Sequence, residues 1–330
     1  MKKFLIIQTA SIGDVILATP VLEKLHYHYP ESKIDFLLKK GNESLFYGHP
    51  FLNRLFIWDK SSNKYKRLFN LLKEIQTERY DYVINLHRFG SSGFLTAFSR
   101  AKKTVGFNKN PFSIFFNHRF RHTIKKGNTH ETERNQKLVE HITDKSKWPV
   151  RLYPSKSDFA ITSQYKTKAY ITVSPASLWF TKQYPKEKWV SFIRKTDPDL
   201  YIYFLGSGKD TLLCDSIIDE SKHKNSLNLA GKLSFLESAA LMKDAQMNFV
   251  NDSAPMHLAS AMNAPTTAIF CSTVPAFGFG PLSDNSEIVQ IDYELNCRPC
   301  GLHGFKQCPE NHFKCALTID DNKLLKRLKT

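Results

Sequence analysis

The sequence has no long hydrophobic run, no internal repeat and no low-complexity tract. No apolar stretch reaches the ~18 residues that a membrane-spanning helix requires. The apolar run at residues 4–7 is short and lacks a small-residue cleavage site, so it predicts a strand and not a signal peptide. We therefore expect a soluble or peripheral protein in the cytoplasm. At 330 residues, 42% of them hydrophobic, the chain fits two domains better than one.

Acidic residues are scarce in the first half of the chain. Residues 1–160 hold 28 lysines and arginines against 14 acidic residues, whereas residues 161–330 hold 19 against 17. Residues 82–130 contain no Asp or Glu at all. In this stretch basic side chains are interleaved with aromatic ones: Arg88, Arg100, Lys102, Lys103, Lys109, Arg119, Arg121, Lys125 and Lys126 with Phe107, Phe112, Phe115, Phe116 and Phe120. Such a face suits an anionic membrane surface, a phosphorylated glycolipid or single-stranded nucleic acid. The alternative is a solvated basic face with the phenylalanines in the core.

Short apolar runs alternate with helical patterns through both halves, which is typical of α/β layers with mostly parallel sheets. The predicted strands are residues 4–8, 34–38, 55–58 and 82–86, then 170–174, 201–205, 248–251, 266–271 and 288–291. A long helix is predicted at 15–29, and the basic tail 320–330 also has a helical pattern. We predict Rossmann-like domains at 1–155 and 169–330, joined by a polar linker at 156–168. Ligands of open α/β sheets bind beyond the carboxyl ends of the strands, so two facing domains would enclose a central cleft. Loops 10–14 and 174–182 should then meet there.

Asp14 follows the first predicted strand directly, one residue after Gly13, which permits a tight turn. The aspartate could simply cap the next helix. A carboxylate at the carboxyl end of a strand is also where a general base would deprotonate a hydroxyl. No Gly-x-Gly pattern occurs here, so the usual dinucleotide fingerprint is excluded.

Lys182 ends a loop that presents several hydroxyls after a predicted strand. It could stabilise the charge that develops on a diphosphate leaving group, or be an ordinary surface lysine. Gly206 and Gly208 end the next strand, and Gly231 with Lys232 ends another. Glycines at these ends would let the backbone approach a ligand, although the signal is weak.

Residues 251–270 form the most informative segment, an acidic turn that opens a helix and leads into a buried strand. Ser253 is a good N-cap, Pro255 suits the first helical turn, and Asn263 before Pro265 ends the helix. The first-turn N–H groups could hold a phosphate or pyrophosphate. Most helices start this way without binding anything, so a structural cap is the alternative.

Four of the six cysteines lie in the loop 297–315: Cys297, Cys300, Cys308 and Cys315, with His303 and His312 between them. Cys-x2-Cys is half of many structural zinc sites. The second half of the pattern is irregular, so packed, reduced cysteines and disulfides remain open, and a cytosolic compartment disfavours disulfides. Cys214 and Cys271 are interpreted as ordinary buried residues.

Five motifs in order resemble the lipopolysaccharide heptosyltransferase family, glycosyltransferase family 9, over nearly the whole chain. They are Gly13-Asp14 within 12–20, Asn85-Leu-His87 with Val105-Gly106-Phe107, Lys182 with Tyr184-Pro185 and Trp189, Asn228-Leu-Ala-Gly231, and Asn251-Asp-Ser-Ala-Pro-Met-His257. The resemblance implies the two-domain GT-B fold. It also implies inverting transfer of a heptose from ADP-heptose to the lipid A–core acceptor, with no cofactor and no catalytic metal.

Carried over by position, the resemblance makes Asp14 the base and Lys182 the residue that stabilises departing ADP. Asp252 would hold sugar hydroxyls, and Ser177 would contact phosphate. The remaining implied donor contacts are Gly206, Gly208, Gly231, Lys232, the N–H groups of Ser253 and Ala254, and His257. The implied acceptor contacts in the basic half are Gly13, His87, Arg88, Arg119 and Arg121. Ala254 stands where the family has Gly, which disfavours a positive φ, and Tyr184 replaces a Trp.

The basic first domain would then bind the phosphorylated acceptor at the cytoplasmic face of the inner membrane. One alternative keeps the fold and changes the donor or chemistry, giving a UDP-sugar transferase or an epimerase. Another makes residues 82–130 a nucleic-acid-binding face and the second half a nucleotide sensor. The basic residues and the phosphate loops lie in different halves, so we expect no nucleic-acid partner.

Overall fold

The computed structural model describes residues 1–61, 63–124 and 129–328. Lys125 and Lys126 of the basic stretch lie outside these ranges. The chain divides into two compact units, Met1–Tyr153 and Pro154–Thr330. The segment predicted as a linker contains a helix, Lys156–Ser163, that packs against another helix of the second unit. The division between the units therefore falls just before this helix.

The first unit contains a six-stranded sheet in which every neighbouring pair is parallel. Its strands are β1 (Lys3–Ile7), β2 (Lys33–Lys39), β3 (Arg54–Trp58), β4 (Tyr82–Asn85), β5 (Lys103–Phe107) and β6 (His118–Phe120). The order across the sheet is β3-β2-β1-β4-β5-β6. The order reverses between β1 and β4, so loops at the carboxyl ends of these two strands are placed to hold a ligand.

The helices of the first unit are α1 (Ile12–Ile16), α2 (Thr19–His28), α3 (Lys64–Glu78), α4 (Gly90–Ala97) and α5 (Glu131–Gln136). The prediction of one long helix at 15–29 was wrong, because two helices meet at Leu17 and Ala18. Pro20 lies in the first turn of α2. Its ring clashes with the carbonyl one turn earlier and it has no N–H, so α1 cannot continue through it.

The second unit repeats the arrangement with another all-parallel, six-stranded sheet. Its strands are β7 (Tyr170–Ser174), β8 (Tyr201–Phe204), β9 (Ser226–Asn228), β10 (Met247–Asn251), β11 (Thr266–Ile269) and β12 (Ser286–Val289). The order is β12-β11-β10-β7-β8-β9. Here the order reverses between β7 and β10, which places the loops after these strands at the equivalent position.

The helices of the second unit are α6 (Lys156–Ser163), α7 (Lys186–Arg194), α8 (Thr211–Ser221), α9 (Phe235–Lys243), α10 (Ala254–Ala261), α11 (Lys314–Leu317) and α12 (Asn322–Lys326). The basic tail, predicted to be helical, forms α12 and packs on α7. Lys188 of α7 forms a 2.7 Å ion pair with Asp321, which precedes α12. This contact fixes the tail to the second unit.

The central strands are buried on both faces, which explains their continuous apolar sequences. Residues 4–7 of β1 are fully buried, as is all of β7. Trp189 and Phe192 of α7 cover the second sheet, and the Phe192 ring lies 4.7 Å from that of Phe249. Each such side chain contributes about 1.5–3 kcal/mol through burial. None of the helices in the described ranges is both long and apolar enough to span a bilayer.

Candidate active site

Asp14 lies in α1, directly after the carboxyl end of β1. Its Oδ2 accepts hydrogen bonds from the Ser11 N–H at 3.1 Å and from Ser11 Oγ at 2.5 Å. The carboxylate therefore supports the start of the helix, as the capping interpretation predicts. Asp14 is half-buried and Gly13 beside it is buried. Because it also lies at the edge where the strand order reverses, the geometry allows both a cap and a general base.

His87 lies at the end of the neighbouring strand β4, where its Nδ1 is 3.1 Å from Thr9 Oγ1. Lys60 donates from Nζ to the Thr9 carbonyl at 3.0 Å. Burial, followed by the charges of Lys60 and Arg88, lowers the pKa of His87 to about 4. His87 is therefore a neutral imidazole at neutral pH, suited to hydrogen bonding and not to binding an anion by charge.

Three arginines complete the predicted acceptor site, and the structure places them differently. Arg88 is half-buried next to His87 at the carboxyl edge. Arg119 lies within the edge strand β6, opposite Gly106 of β5, and Arg121 follows that strand. Both are exposed, and neither guanidinium group forms a hydrogen bond or ion pair with any residue that the structure describes. The structure therefore groups Gly13, His87 and Arg88 at the edge and leaves the other two arginines on the surface.

The second unit brings Lys182 and Asp252 together. Lys182 Nζ lies 2.7 Å from Asp252 Oδ2, and the two side chains are only 15% and 7% exposed. Lys182 ends a short 3₁₀ turn, Phe180–Lys182, after β7, and Asp252 follows β10. Thr273 donates from Oγ1 to the same carboxylate oxygen at 2.6 Å. A partly desolvated lysine is thus held at the carboxyl edge of the sheet, where it can meet an anion.

Asn251 fixes both ends of the loop that carries Lys182. Its Nδ2 donates to the Pro175 carbonyl at 2.7 Å, and its Oδ1 accepts from the Tyr184 N–H at 3.0 Å. Tyr184 is buried and donates through its hydroxyl to Asp321 at 2.5 Å. The Tyr184 ring also packs edge-on against Trp189, with 5.2 Å between the centroids. Tyr184 is therefore a structural anchor of the lysine loop.

The cysteine-rich loop supports the same lysine from another side. Phe305 and Thr181 form a backbone hydrogen bond, and the Phe305 N–H also donates to Thr181 Oγ1 at 2.8 Å. Gly304 has φ +77°, and a Cβ at this position would lie 2.8 Å from Thr181 Oγ1 and 3.0 Å from Lys182 Cγ. The loop backbone thus lies directly against the lysine, and only glycine fits there without displacement.

The glycines predicted for the donor site lie together at the ends of β8 and β9. The Gly231 N–H donates to the Gly206 carbonyl at 2.9 Å. A Cβ on Gly231, whose φ is +75°, would lie 2.7 Å from the Cα of Gly208. Two chain segments are therefore in backbone contact, which a larger residue would prevent. Lys232 is exposed beside them, and Ser177 accepts from Gln183 Nε2 through its carbonyl at 2.7 Å.

Helix α10 begins at Ala254, as the segment 251–270 predicts. Ser253 occupies the N-cap position, but its hydroxyl donates to the Asn251 carbonyl at 3.4 Å and does not cap the helix. The expected side-chain cap at Ser253 was therefore wrong. Ala254 is helical, so its presence in place of Gly requires no positive φ. His257 is buried in the second turn of α10.

The cysteine-rich loop does not form a metal centre in the structure. Cys297 Sγ lies 3.9 Å from His312 Nε2, and Cys300 Sγ lies 3.3 Å from the Cys297 carbonyl. Burial and then the neighbouring thiols raise the pKa of Cys315 to about 12. All six cysteines lie in the described part of the chain and are free. Within that part, no three His, Cys, Asp or Glu side chains converge closely enough to hold a metal ion.

Several residues at these edges were missed by the sequence analysis: Thr9, Lys60, Thr181, Thr273 and Arg298, as was the clamping role of Asn251. Arg298 Nη2 donates to the carbonyls of Phe270 and Thr273 and to Gln290 Oε1. Burial lowers the pKa of Arg298. Its position in the cysteine-rich loop gave no signal. The one available signal was a hydroxyl residue soon after a strand, since Thr9 lies two positions after β1 and Thr273 four positions after β11.

Comparison with known proteins gives consistent results along the chain. Residues 68–311 match the model of glycosyltransferase family 9 (heptosyltransferase). Lipopolysaccharide heptosyltransferase 3 of Escherichia coli is 28% identical over 83% of this chain and 84% of its own length. A glycosyltransferase family 9 structure from Veillonella parvula has a TM-score of 0.86 at 21% identity, covering 99% of this chain and 96% of that one.

The structure of E. coli ADP-heptose lipopolysaccharide heptosyltransferase II has a TM-score of 0.80 at 18% identity. The match covers 100% of this chain and 98% of that one. The predicted α/β fold of GT-B type is therefore confirmed. Since the family model spans most of the sequence and both sheets match solved members, the chain belongs to glycosyltransferase family 9, the heptosyltransferases.

Proposed function

We propose that this protein transfers a heptose from ADP-heptose to the lipid A–core acceptor in lipopolysaccharide biosynthesis. The observation that carries the proposal is the Lys182–Asp252 pair, held at the carboxyl edge of the second sheet beside the start of α10. A family 9 chain needs a cation for the diphosphate and an acceptor group for the sugar hydroxyls. The pair supplies both, and the names of the relatives specify ADP-heptose and lipopolysaccharide.

Binding of the donor would separate the Lys182–Asp252 ion pair and give each side chain a partner on the donor. When the diphosphate reaches Lys182, its oxygens replace the Asp252 carboxylate as the partner of the ammonium group. Asp252 keeps the hydrogen bond from Thr273 and can accept from sugar hydroxyls. Backbone N–H groups at Ser253 and Ala254 add positive potential toward the diphosphate. The remaining donor contacts in this proposal are Ser177, Gly206, Gly208, Gly231, Lys232 and His257.

The transfer step would invert the anomeric carbon. The acceptor oxygen forms a bond to that carbon from the face opposite the ADP oxygen, whose bond to the carbon breaks. The acceptor proton passes to the Asp14 carboxylate, and the electron pair of the broken bond remains on ADP. Lys182 stabilises this growing negative charge, an effect worth about 10²–10³ in rate for one well-placed donor. Protein groups supply both functions, so the proposal requires no catalytic metal.

The acceptor would bind the basic first unit, through Gly13, His87 and Arg88 at the sheet edge and Arg119 and Arg121 on the surface. A phosphorylated lipid at the cytoplasmic face of the inner membrane matches this charge. Each basic residue near an anionic surface contributes about 1 kcal/mol. This attraction would keep the enzyme peripherally attached at the membrane.

A donor panel tests the proposal. The protein is incubated with a truncated core acceptor and ADP-heptose, UDP-sugars or GDP-sugars, and the product is identified by mass spectrometry. We expect transfer from ADP-heptose alone, with inverted anomeric configuration by NMR. Transfer from a UDP-sugar only, or epimerisation without an acceptor, would replace this function with one of the alternatives.

Asp14→Ala separates catalysis from capping, because the chain contains a matched control. Asp158 accepts from the Ser155 N–H at 2.6 Å and from Ser155 Oγ at 2.7 Å, the same arrangement as at Asp14. Each alanine variant should cost about 1 kcal/mol of stability. Asp14→Ala should also lower the rate by about 10²–10⁴ while ADP binding is retained, whereas Asp158→Ala should not. Equal rates in the two variants would remove Asp14 as the base.

Two measurements test whether the reaction or the cysteine-rich loop uses a metal ion. Chelator-treated protein should retain full transfer activity. Elemental analysis of the purified protein decides whether zinc binds Cys297, Cys300, Cys308 and Cys315, the alternative that the placement of these side chains does not support. Stoichiometric zinc together with chelator-resistant activity would assign the metal to the loop and not to the reaction.

A further inference from the structure

Five phenylalanine rings form a continuous surface cluster on the first unit, here called the phenylalanine patch: Phe69 of α3, Phe94 and Phe98 of α4 and its end, and Phe112 and Phe115 around the 3₁₀ turn Ser113–Phe115. Phe94 lies at its centre, with ring centroids 5.5 Å from Phe69, 5.1 Å from Phe98 and 6.0 Å from Phe112. Phe98 and Phe115 are 6.2 Å apart.

The outer part of this patch and the adjoining Ile114 are exposed to solvent. Ile114 is 70% exposed and Phe115 is 57% exposed, and Phe69 and Phe98 are also exposed. Phe107 and Phe116 from the same stretch are buried in the core. The alternative that places the phenylalanines of residues 82–130 in the core therefore holds for Phe107 and Phe116, whereas Phe115 is exposed. Contiguous exposed apolar surface of this kind is uncommon on a protein that has no partner for it.

The surroundings of the patch carry positive charge. No acidic residue occurs between positions 82 and 130. Arg100 follows Phe98 closely and Lys109 precedes Phe112, and both are exposed. Glu74 of α3 is neutralised by a 2.9 Å ion pair with Arg54. An apolar centre with a basic border is complementary to a bilayer that has anionic headgroups.

We propose that the phenylalanine patch inserts into the interface of an anionic lipid bilayer, with Ile114 and Phe115 as the most deeply inserted side chains. Arg100 and Lys109 would meet the headgroup phosphates around them. The inference deepens the proposed function, since it names the surface that would bring the enzyme to a lipid acceptor. Its test needs neither donor nor acceptor, so it can fail independently of the transfer activity.

Vesicle flotation tests the assignment with the full chain. The vesicles contain phosphatidylcholine alone or an equal mixture of phosphatidylcholine and phosphatidylglycerol. The test variant is Ile114→Ser with Phe115→Ser, and the matched control is Leu212→Ser, which removes a side chain that is 81% exposed on α8 of the second unit. Because these side chains are exposed, all variants should keep the native melting temperature. A third variant, Lys109→Ala, tests whether positive charge beside the patch contributes to vesicle binding.

We expect the native chain and Leu212→Ser to float with the mixed vesicles and not with the neutral ones. The double variant should lose about tenfold in partitioning for each removed side chain. Lys109→Ala should bind less, and added salt should weaken binding of the native chain. Transfer to a lipid-free, truncated acceptor should be unchanged in the double variant, which separates docking from catalysis.

Three results would overturn the assignment. The first is native binding to mixed vesicles by the double variant. The second is equal binding of the native chain to neutral vesicles, or no binding to either kind. The third is a change in the oligomeric state of the double variant, measured by light scattering, which would make the patch an interface between copies of the chain.

Discussion

Replacing Asn251 by alanine should disconnect the lysine loop from the second sheet. The side chain is fully buried and bonds the Pro175 carbonyl at 2.7 Å and the Tyr184 N–H at 3.0 Å. These two groups flank the loop that carries Lys182. In Asn251→Ala both would remain buried without a partner in the protein.

The size of the effect follows from these two groups. An unpaired buried donor or acceptor costs about 1–3 kcal/mol, so the variant should lose about 2–6 kcal/mol of unfolding free energy. The loop would also no longer hold Lys182 in one place. A displacement of about 1 Å in a positioning group can reduce the rate by about 10²-fold. We therefore expect weaker ADP binding as well as slower transfer.

Asn248→Ala supplies the matched control on the same strand. Asn248 is equally buried, donates to the carbonyls of Met242 and Pro265 at 2.9 Å each, and accepts from Thr172 Oγ1 at 2.6 Å. Asn248 lies toward the amino end of β10, away from the lysine loop. Its replacement by alanine should therefore reduce the free energy of unfolding without changing ADP affinity. Urea unfolding and calorimetric ADP titration, both well below the melting temperature, measure the two effects. Equal ADP affinity in the two variants would refute the clamp.

Two further predictions concern the cysteine-rich loop and a buried histidine. Gly304→Ala places a Cβ against Lys182 and should weaken ADP binding, whereas Gly301→Ala, also at positive φ but with its nearest contact at 3.8 Å, should cost about 1 kcal/mol of stability only. ADP titration of both distinguishes them, and equal affinities would contradict the packing argument. Burial and then the charge of His26 lower the pKa of His49 to about 4 from 6.5. The folded protein resists a proton that the unfolded chain binds, so stability present above pH 6.5 is lost toward pH 4, by about 3 kcal/mol. His49→Phe should reduce the pH dependence of urea unfolding between pH 7 and about pH 4.5, while the part that His87 contributes remains; an unchanged slope would rule out a contribution from His49.

The sequence predicted best those elements that are buried on both faces. All nine predicted strands are present, and seven of them lie inside the sheets, where a parallel strand needs a continuous apolar run; β3 and β12 are edge strands. Three strands lie outside the predicted strand ranges: β5, which is inside its sheet, and β6 and β9, although a strand end is predicted at Gly231. The last two are three-residue edge strands with partly exposed side chains, and their sequences carry no apolar run. These two strands form because they hydrogen-bond to the neighbouring strands β5 and β8, and the local sequence does not reveal such pairing.

Site residues that follow strand ends could be placed from sequence, whereas their supporting contacts could not. Asp14, Lys182 and Asp252 all lie at carboxyl edges, as parallel topology requires. The contact of Phe305 with Thr181 joins residues 124 positions apart, and that of Asn251 with Pro175 joins residues 76 apart. No local sequence pattern encodes contacts between residues so far apart along the chain. Only the folded chain reveals that the cysteine-rich loop supports the lysine.

The nearly buried Lys182–Asp252 ion pair is explained by donor binding and not by its contribution to stability. Burying two charges costs several kcal/mol per ion, and apolar residues of similar volume often give a protein that is equally stable or more so, by about 1–4 kcal/mol. The fold therefore has no need of this pair at a nearly buried position. Thr273 and the loop clamped by Asn251 nevertheless hold both charges in contact. A donor with a diphosphate and several hydroxyls would need both groups, already desolvated and oriented, at one place. We infer that each charge serves as the other's partner until the donor replaces it.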